Sequence, residues 1–584
     1  MNLVIQKSGK WQYVSFRESF WDPARKKYTS RTVKNFGRLD LLEKDDPDIL
    51  DKLRAEAEES KRLRKKQKAT LLKQRVDDTI RSAKGSNPYA DNPRLWIGSC
   101  VYRQIWNKLN LQRKLHDLQK AQAPRGKQDF PASIFFMTTA RSLRPDSKLA
   151  QWKQQDRFLY GASKLSLSDL YRSMDLLVGN REELIRSLNQ QIGKSYHRTV
   201  TAALYDVTTY YFESQNAQGV LNYGFSKDCK VNQVQVVMGL LIDDQGVPIS
   251  YEIFPGNTNE FGTMIPILEK LKKDYGIERV VVTADRGLNS GANLLKIREM
   301  GMDYVIAYRL RNAGGDIRKL ILSPDGWTSR KAGDVRCDVS RYRLTTERRR
   351  VRVEEQTNGK TANRFVTVES NLLINYSPKK AAKDQCDRER LVEKAERLAD
   401  NPALIQGELH RGGKSYLKFE KGTISAEVDR EKIEAAKIYD GYYGIVYSDT
   451  SMSPERVMAI HHSLWQIEET FRISKSILDA RPCFHWRERR IRAHFLICYL
   501  ALVMHRLLER ELADKGVTLT ADEIIDALRN AELMKLPISP AEAVYGKAGT
   551  NGNFESIAKA VGLGKLHSVA TPAEVKKALK LKEL

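Results

Sequence analysis

The sequence predicts a mixed α/β fold, with one sheet that begins as a meander, continues by strand–helix alternation and is interrupted by a long insertion. Three observations predict it. Strand and helix patterns over residues 199 to 308 follow the order β-β-β-α-β-α-β. A charged stretch of about 120 residues, 315 to 435, separates these elements from a later strand and two long helices. Two aspartates, Asp206 and Asp285, sit inside or at the end of strands, which disfavour Asp unless it has work to do.

Thr199 to Phe212 is rich in β-branched and aromatic residues, and Val231 to Ile242 is apolar with interleaved glutamine. Asp243-Asp244-Gln245-Gly246 is a turn, and Val247 to Phe254 reads as the third strand. Met264 to Tyr275 has helical spacing through Ile265, Ile267, Leu268 and Leu271. Arg279 to Ala284 is a continuous apolar run, as in a strand buried on both faces. Asn293 to Met300 is helical and Tyr304 to Tyr308 is a strand. A three-strand meander followed by this alternation is the ribonuclease-H-like order. Tyr442 to Tyr447 resumes the sheet. Ser453-Pro454-Glu455 then starts a helix, with a capping Ser, Pro at the first helical position and an acid in the first turn. The pattern carries that helix to about Leu478, and a second one covers residues 486 to 512.

The flanks complete the expected organisation. Residues 1–85 read as an N-terminal β-hairpin plus a basic helical arm, and 86–198 as a helical region that binds DNA. The ribonuclease-H-like core spans 199–314 and 436–515, split by a β-rich, then helical, inserted subdomain at 315–435; residues 516–584 read as a helical appendage broken by Pro537 and Pro540. Ser86 to Pro93 marks a boundary. Lys61 to Arg75 carries eight basic residues and no acidic one, as either a solvated helix face or a DNA-contacting arm. Arg348, Arg349, Arg350 and Arg352 in the insertion are either DNA contacts or charges that protect a strand edge.

Composition narrows the partners. The chain has 584 residues, 41% apolar and 29% charged, with a formal net charge of +26. Such an excess of Lys and Arg points to a polyanion, because phosphates attract these side chains and release counterions on binding. The six cysteines form no CxxC pair, so neither a zinc knuckle nor a disulfide framework is indicated. The longest apolar run, Phe495 to Met504, is shorter than the ~20 residues a membrane span needs and reads as a buried helix. No membrane partner is expected, and the expected compartment is the cytoplasm.

Three carboxylates carry the candidate chemistry. Asp206 lies within Leu204-Tyr205-Asp206-Val207-Thr208, and Asp285 lies at the carboxyl end of the buried strand, where α/β sheets place ligand sites. On the helix after Pro454, Val457, Ile460, Leu464, Ile467, Phe471 and Leu478 form one apolar stripe. At about 100° per residue, Glu468 lies roughly 70° from that stripe and Glu469 roughly 170°, so Glu469 is expected in solvent and Glu468 at the border of a cleft. Lys475 and His461, seven residues to either side, share the Glu468 edge. Carboxylates from two strands and a helix suit a pair of magnesium ions at a phosphodiester, since Mg2+ prefers hard oxygen ligands.

The segment Trp465-Gln466-Ile467-Glu468-Glu469-Thr470-Phe471-Arg472, with Lys475, resembles the third-carboxylate helix of bacterial insertion-sequence DDE transposases. It is similar to the subgroup with a Tyr-x-x-Arg-x-x-x-Glu-x-x-x-x-x-x-Lys motif and a β-rich insertion. Asp206 and Asp285 resemble the first and second Asp of that family, and Tyr223 to Asp228 and Pro255 to Glu260 resemble further family segments. The chain departs from the motif at two positions: His461 stands at its Tyr and Leu464 at its Arg, residues that contact phosphate near the element's end in the family. His461 and Arg472 are the candidates to replace them.

The resemblance implies that Asp206, Asp285 and Glu468 are catalytic and ligate two Mg2+ ions, with Mn2+ able to substitute. Water attack at the element's end frees a 3′-hydroxyl, which then attacks target DNA. Lys475 contacts phosphate near the cut. The expected partners are the terminal repeats, target DNA and a second copy of the chain in a synaptic complex, on the nucleoid of a prokaryotic cell. Arg489, Arg490 and Arg492, crowded after the helix, join Arg472, His461 and Lys475 as expected DNA contacts. The competing readings are a catalytically inactive DNA-binding relative and another ribonuclease-H-like nuclease.

Overall fold

The structure is a computed structural model. It describes residues 1–22, 27–82, 92, 94–159, 164–213, 216–224, 233–259, 262–275, 281–330, 339–357, 360–401, 413–419, 426–481, 483, 485–539 and 542–581. The expected boundary at 86–93 lies outside the described residues except for Asn92. Phe225 to Asp228 and Glu260, from the family-like segments, also lie outside them.

The described chain divides into two compact units, one of residues 1–101, 157–159 and 526–584, the other of residues 102–156 and 160–525. In the first unit, Asn2–Ser8, Trp11–Asp22 and Lys27–Arg38 form a three-stranded antiparallel sheet, one strand more than the expected hairpin. Val14 and Phe16 on one face of the middle strand pack with Leu53 and Ala57 of the helix Ile49–Ser82. Leu72 and Val76, farther along this helix, pack with Leu536, Val544 and Val569 of a second sheet. That sheet has the order Val569–Ala570, Glu542–Ala548, Glu532–Ser539, Arg94–Trp96. The last 69 residues of the chain, 516–584, therefore contain strands where helix alone was expected. Pro537, read as a helix breaker, sits at a register shift in the hairpin, a place where a strand tolerates proline.

The second unit is built on a nine-stranded sheet. Its strands are β1 (Ala202–Tyr211), β2 (Gln235–Asp243), β3 (Pro248–Pro255), β4 (Val281–Ala284), β5 (Asp303–Tyr308), β6 (Thr328–Ser329), β7 (Arg341–Thr357), β8 (Lys360–Tyr376) and β9 (Tyr442–Tyr447). The spatial order is β6-β7-β8-β9-β5-β4-β1-β2-β3. β1, β2 and β3 are the predicted meander, while β4 runs parallel to both β1 and β5. A short turn joins the antiparallel β2 and β3, whereas parallel neighbours need crossovers, which α1 (Met264–Tyr275) and α2 (Gly291–Glu299) supply. Met264, Ile267, Leu268 and Leu271 of α1 and Leu294 and Ile297 of α2 join Tyr205, Val207, Val282 and Ala284 in one core.

The insertion extends this sheet. β7 and β8 pair over their whole length, yet only Asn371–Tyr376 at the base of β8 pairs with β9. The rest is a two-stranded ribbon that leans on α2 through Val351, while α3 (Pro378–Asp400) follows β8.

The second face of the sheet is covered by α4 (Pro454–His462), α5 (Trp465–Arg472) and α6 (Glu488–Asp514). Val457, Met458 and Ile460 of α4 pack with Ala202, Val305, Ile445 and Tyr447. By length and composition α6 is apolar enough to cross a membrane, but 89% of its most apolar window is buried inside the protein, as expected of a core helix. The helices Phe130–Leu143 and Leu167–Gly179 pack on it. Tyr499 of α6 donates to the Ile249 carbonyl at 2.9 Å, and Lys108 and Tyr196 both reach Glu511 at 2.7 Å. The 102–196 helices thus belong to the same compact unit as the sheet. Leu496 of α6 is fully buried. Leu496→Ala is expected to lower the free energy of unfolding by about 3 kcal/mol, measured by denaturant titration, because it removes buried methyls and leaves a cavity.

Candidate active site

The candidate site lies at the carboxyl end of the parallel β1–β4 pair. Their register runs Ala202↔Val281, Ala203↔Val282, Leu204↔Thr283 and Tyr205↔Ala284. Asp206 and Asp285 are each the next residue, so they stand side by side on strands spaced roughly 5 Å apart. Alternation along β1 sets the direction: Ala203, Tyr205 and Val207 face α1, and the intervening residues face α4 to α6. Tyr210 proves the second face, since its hydroxyl meets the Ser474 hydroxyl at 2.8 Å and its ring packs against Phe495 of α6. Asp206 shares that face and is half-buried, whereas Asp285 is exposed.

The predicted continuous helix from Pro454 to Leu478 is broken. Ser453 caps it as expected, accepting from the Arg456 amide at 3.2 Å. The α-helix then stops at His462, restarts at Trp465 and passes into a π-helical turn, Ile473–Ile477. The Ser463 hydroxyl donates to the Ile460 carbonyl at 2.6 Å, a back-bond that bends helices. The π turn places Ser474 against Tyr210, and π turns of this kind recur at functional sites.

This break changes the expected placement of the two glutamates. Glu468 is exposed, on α5 where that helix lies against β1. Glu469 does not point freely into solvent: its side chain is 28% exposed and pairs with Arg472 at 2.8 Å. Arg472 also reaches Asp522 at 3.0 Å, and the nearby guanidinium holds the Glu469 carboxyl below its ordinary range. A single apolar stripe could not foresee this, because the phase is reset at Ser463 and the partners come from elsewhere in the chain.

His461 lies close enough to Asp285 to feel its charge. Burial pushes its imidazole down to about 4, against the opposite pull of Asp285. Its ring stacks on Tyr443 with centroids 6.0 Å apart, and its buried Nε2 has no hydrogen-bond partner among the described residues. Lys475 lies with its Nζ 5.7 Å from the Tyr210 ring centroid.

The three later arginines are engaged within the protein. Arg489 donates to the Asp175 carbonyl at 2.9 Å. Arg490 stacks on Tyr171 at 4.5 Å and lies 3.8 Å from the Asp175 carboxylate. Arg492 pairs with Glu488 at 2.9 Å and approaches Glu252 at 3.9 Å. Among the described residues, no three His, Cys, Asp or Glu side chains close into a ready metal cluster. Asp206 and Asp285 are therefore brought together, while Glu468 stands on the adjoining helix without completing a cage.

Sequence reasoning missed the support behind the site. Arg141 donates to the carbonyls of Asp479 and Asp146, both at 3.0 Å, and His494 Nε2 donates to the Ala480 carbonyl at 3.1 Å. Together they fix the chain just after the π turn, where Asp479 adopts a left-handed φ of 45°. No local motif announces these residues; only their place in an almost wholly buried helix and in α6 marks them.

Residues 203–504, more than half of the chain, match the family described as the transposase DDE domain, and the chain belongs to that family. It is accordingly a DNA transposase, an enzyme whose partner is DNA. Among solved structures, it is similar to the synaptic complex of the piggyBac transposase with hairpin DNA, at 9% identity and a TM-score of 0.35, over 76% of this chain and 82% of that one. No curated protein matches the chain.

Burial lowers the imidazoles of His494 and His485, the latter to about 4. The unfolded chain, near 6.5, then binds more protons than the folded one as pH falls. The contribution of these two imidazoles to stability should be level above about pH 6.5 and decline from there toward pH 4. Denaturant titrations across that range check this, and His494→Gln should flatten the decline while lowering stability at pH 7.

Proposed function

We propose that the chain is a bacterial insertion-sequence transposase that cuts DNA at the ends of its element and joins the freed 3′ ends to target DNA, on a ribonuclease-H-like core. The observation that carries this reading is the adjacency of Asp206 and Asp285 one residue beyond the last β1–β4 register pair. The strand order β3-β2-β1-β4-β5, with β1, β4 and β5 parallel and β2 antiparallel, supports the fold assignment. The family match, which contains Asp206, Asp285 and Glu468, supports the reaction class.

The donor set fits magnesium. Two carboxylates side by side repel each other unless a cation lies between them, and hard oxygen donors select Mg2+, with Mn2+ as a substitute. Asp206 and Asp285 would hold the ions from the sheet, and Glu468 would close the site from α5. When bound, two such ions supply activation of the attacking oxygen and stabilisation of the leaving one.

The remaining groups have separate tasks. Rigid strand ends fix the two aspartates, so their geometry costs little reorganisation when DNA arrives. His461 is neutral and half-buried near Asp285; it shapes that wall and adds no charge to it. Lys475 is a point charge for phosphate on the turn after Glu468. Arg472, Arg489, Arg490 and Arg492 already hold protein partners, so any DNA contact by them exchanges those partners. Two copies of the chain would act together on paired element ends, on the nucleoid of a prokaryotic cytoplasm, as the resemblance to insertion-sequence transposases suggests.

Cleavage of a supercoiled plasmid that carries the cognate ends tests the proposal. Wild type should cut with Mg2+ or Mn2+ and not with EDTA. Asp285→Ala and Glu468→Ala should each lower cutting by at least about 100-fold while end binding persists. Cutting that survives either substitution rejects the assigned site, and end binding without cutting by any version marks an inactive relative.

A further inference from the structure

The helix Ile49–Ser82 has 34 residues and is about 50 Å long. It is anchored at two places, by Leu53 and Ala57 on the N-terminal sheet and by Leu72 and Val76 on the C-terminal one. The anchors leave fourteen residues between Ala57 and Leu72, which are roughly 22 Å apart along the helix. Arg62, Leu63, Arg64, Lys66, Gln67, Lys68, Thr70 and Leu71 in that stretch are all exposed.

The cations of this stretch are sorted by face. At about 100° per residue, Leu53, Ala57 and Arg64 point within about 40° of one another, and Arg64 is the residue that pairs with Glu18 of the sheet. Arg62, Lys66 and Lys73 also fall within about 40° of one another, on the side away from that sheet, and all three are exposed. Arg62 lies 3.4 Å from Glu59, a surface pair of little strength. Arg62 and Lys66 are four apart, as are Arg64 and Lys68, and like charges at that spacing destabilise a helix. The described side chains form no core there, and Glu59 offsets Arg62 only weakly, so an external polyanion is the complement that suits the stripe.

We propose that Arg62, Lys66 and Lys73 form a phosphate-gripping stripe that binds the backbone of duplex DNA outside the catalytic site. This rests on the assignment of the chain as a DNA transposase, but not on the identity of its catalytic carboxylates. Contacts of this kind hold the duplex in register and carry no sequence information.

The test uses the full chain, a labelled duplex of about 25 base pairs with an unrelated sequence, and anisotropy titrations over a range of salt concentrations. The triple variant Arg62→Ala, Lys66→Ala and Lys73→Ala keeps good helix formers at exposed positions, so its thermal unfolding should match wild type. It is expected to bind at least ~10-fold more weakly, and its dependence of log K on log salt should be shallower by about 2 to 3. Asp285→Asn should keep the wild-type salt slope, whether or not it still cuts, which separates this proposal from the catalytic one. A triple variant with wild-type affinity and slope overturns the proposal. So does one that loses affinity with an unchanged slope, since the loss then comes from something other than phosphate contacts.

Discussion

The register between β1 and β4 is the constraint on which the candidate site depends. Parallel pairing of Tyr205 with Ala284 carries two aspartates, nearly 80 residues apart in the chain, to neighbouring strand ends. A slip of one residue in β1 would turn Asp206 to the α1 face and bring Tyr205 out of the core. The register is held by burial on both faces. Tyr205 and Val282 are locked among α1 and α2 residues on one side, and Ala202 is covered by Val457 and Ile460 on the other.

From that constraint the layers follow. Strands buried on both faces need helices above and below, and α6 supplies the deepest of them. Its apolar surface is large enough to collect the helices of residues 102–196 as well as the sheet. The same helix carries His494, which steadies the chain after the π turn, while Arg141 does so from a buried neighbouring helix. The chemistry at the strand ends and the helical shell are therefore one packed object. Glu468 differs in that it rides on a short helix bounded by the break after His462 and a π turn.

Much of this was legible in the residues. The meander, the two crossovers, both aspartates and the Ser453 cap follow from period, turn chemistry and the rarity of Asp in strands. What was not legible depends on contacts distant in sequence. The α-helix is interrupted at Ser463, whose hydroxyl bonds back to the Ile460 carbonyl, so a continuous apolar stripe misjudged Glu469, which Arg472 draws in. Pro537 reads as a helix breaker until its strand partner is known. Arg489 and Arg490 look like a DNA patch in sequence, but Asp175 and Tyr171, more than 300 positions earlier, engage them.

The central claim is that Asp206 and Asp285 share one divalent-cation site. Titration of Mn2+ into the full chain, followed by electron paramagnetic resonance of the free ion, tests it most directly. Wild type should take up Mn2+ that Mg2+ competes away, and Asp206→Ala and Asp285→Ala should each abolish that uptake, singly and without additivity. Uptake unchanged in either variant, or lost in two independent halves, would contradict the shared site.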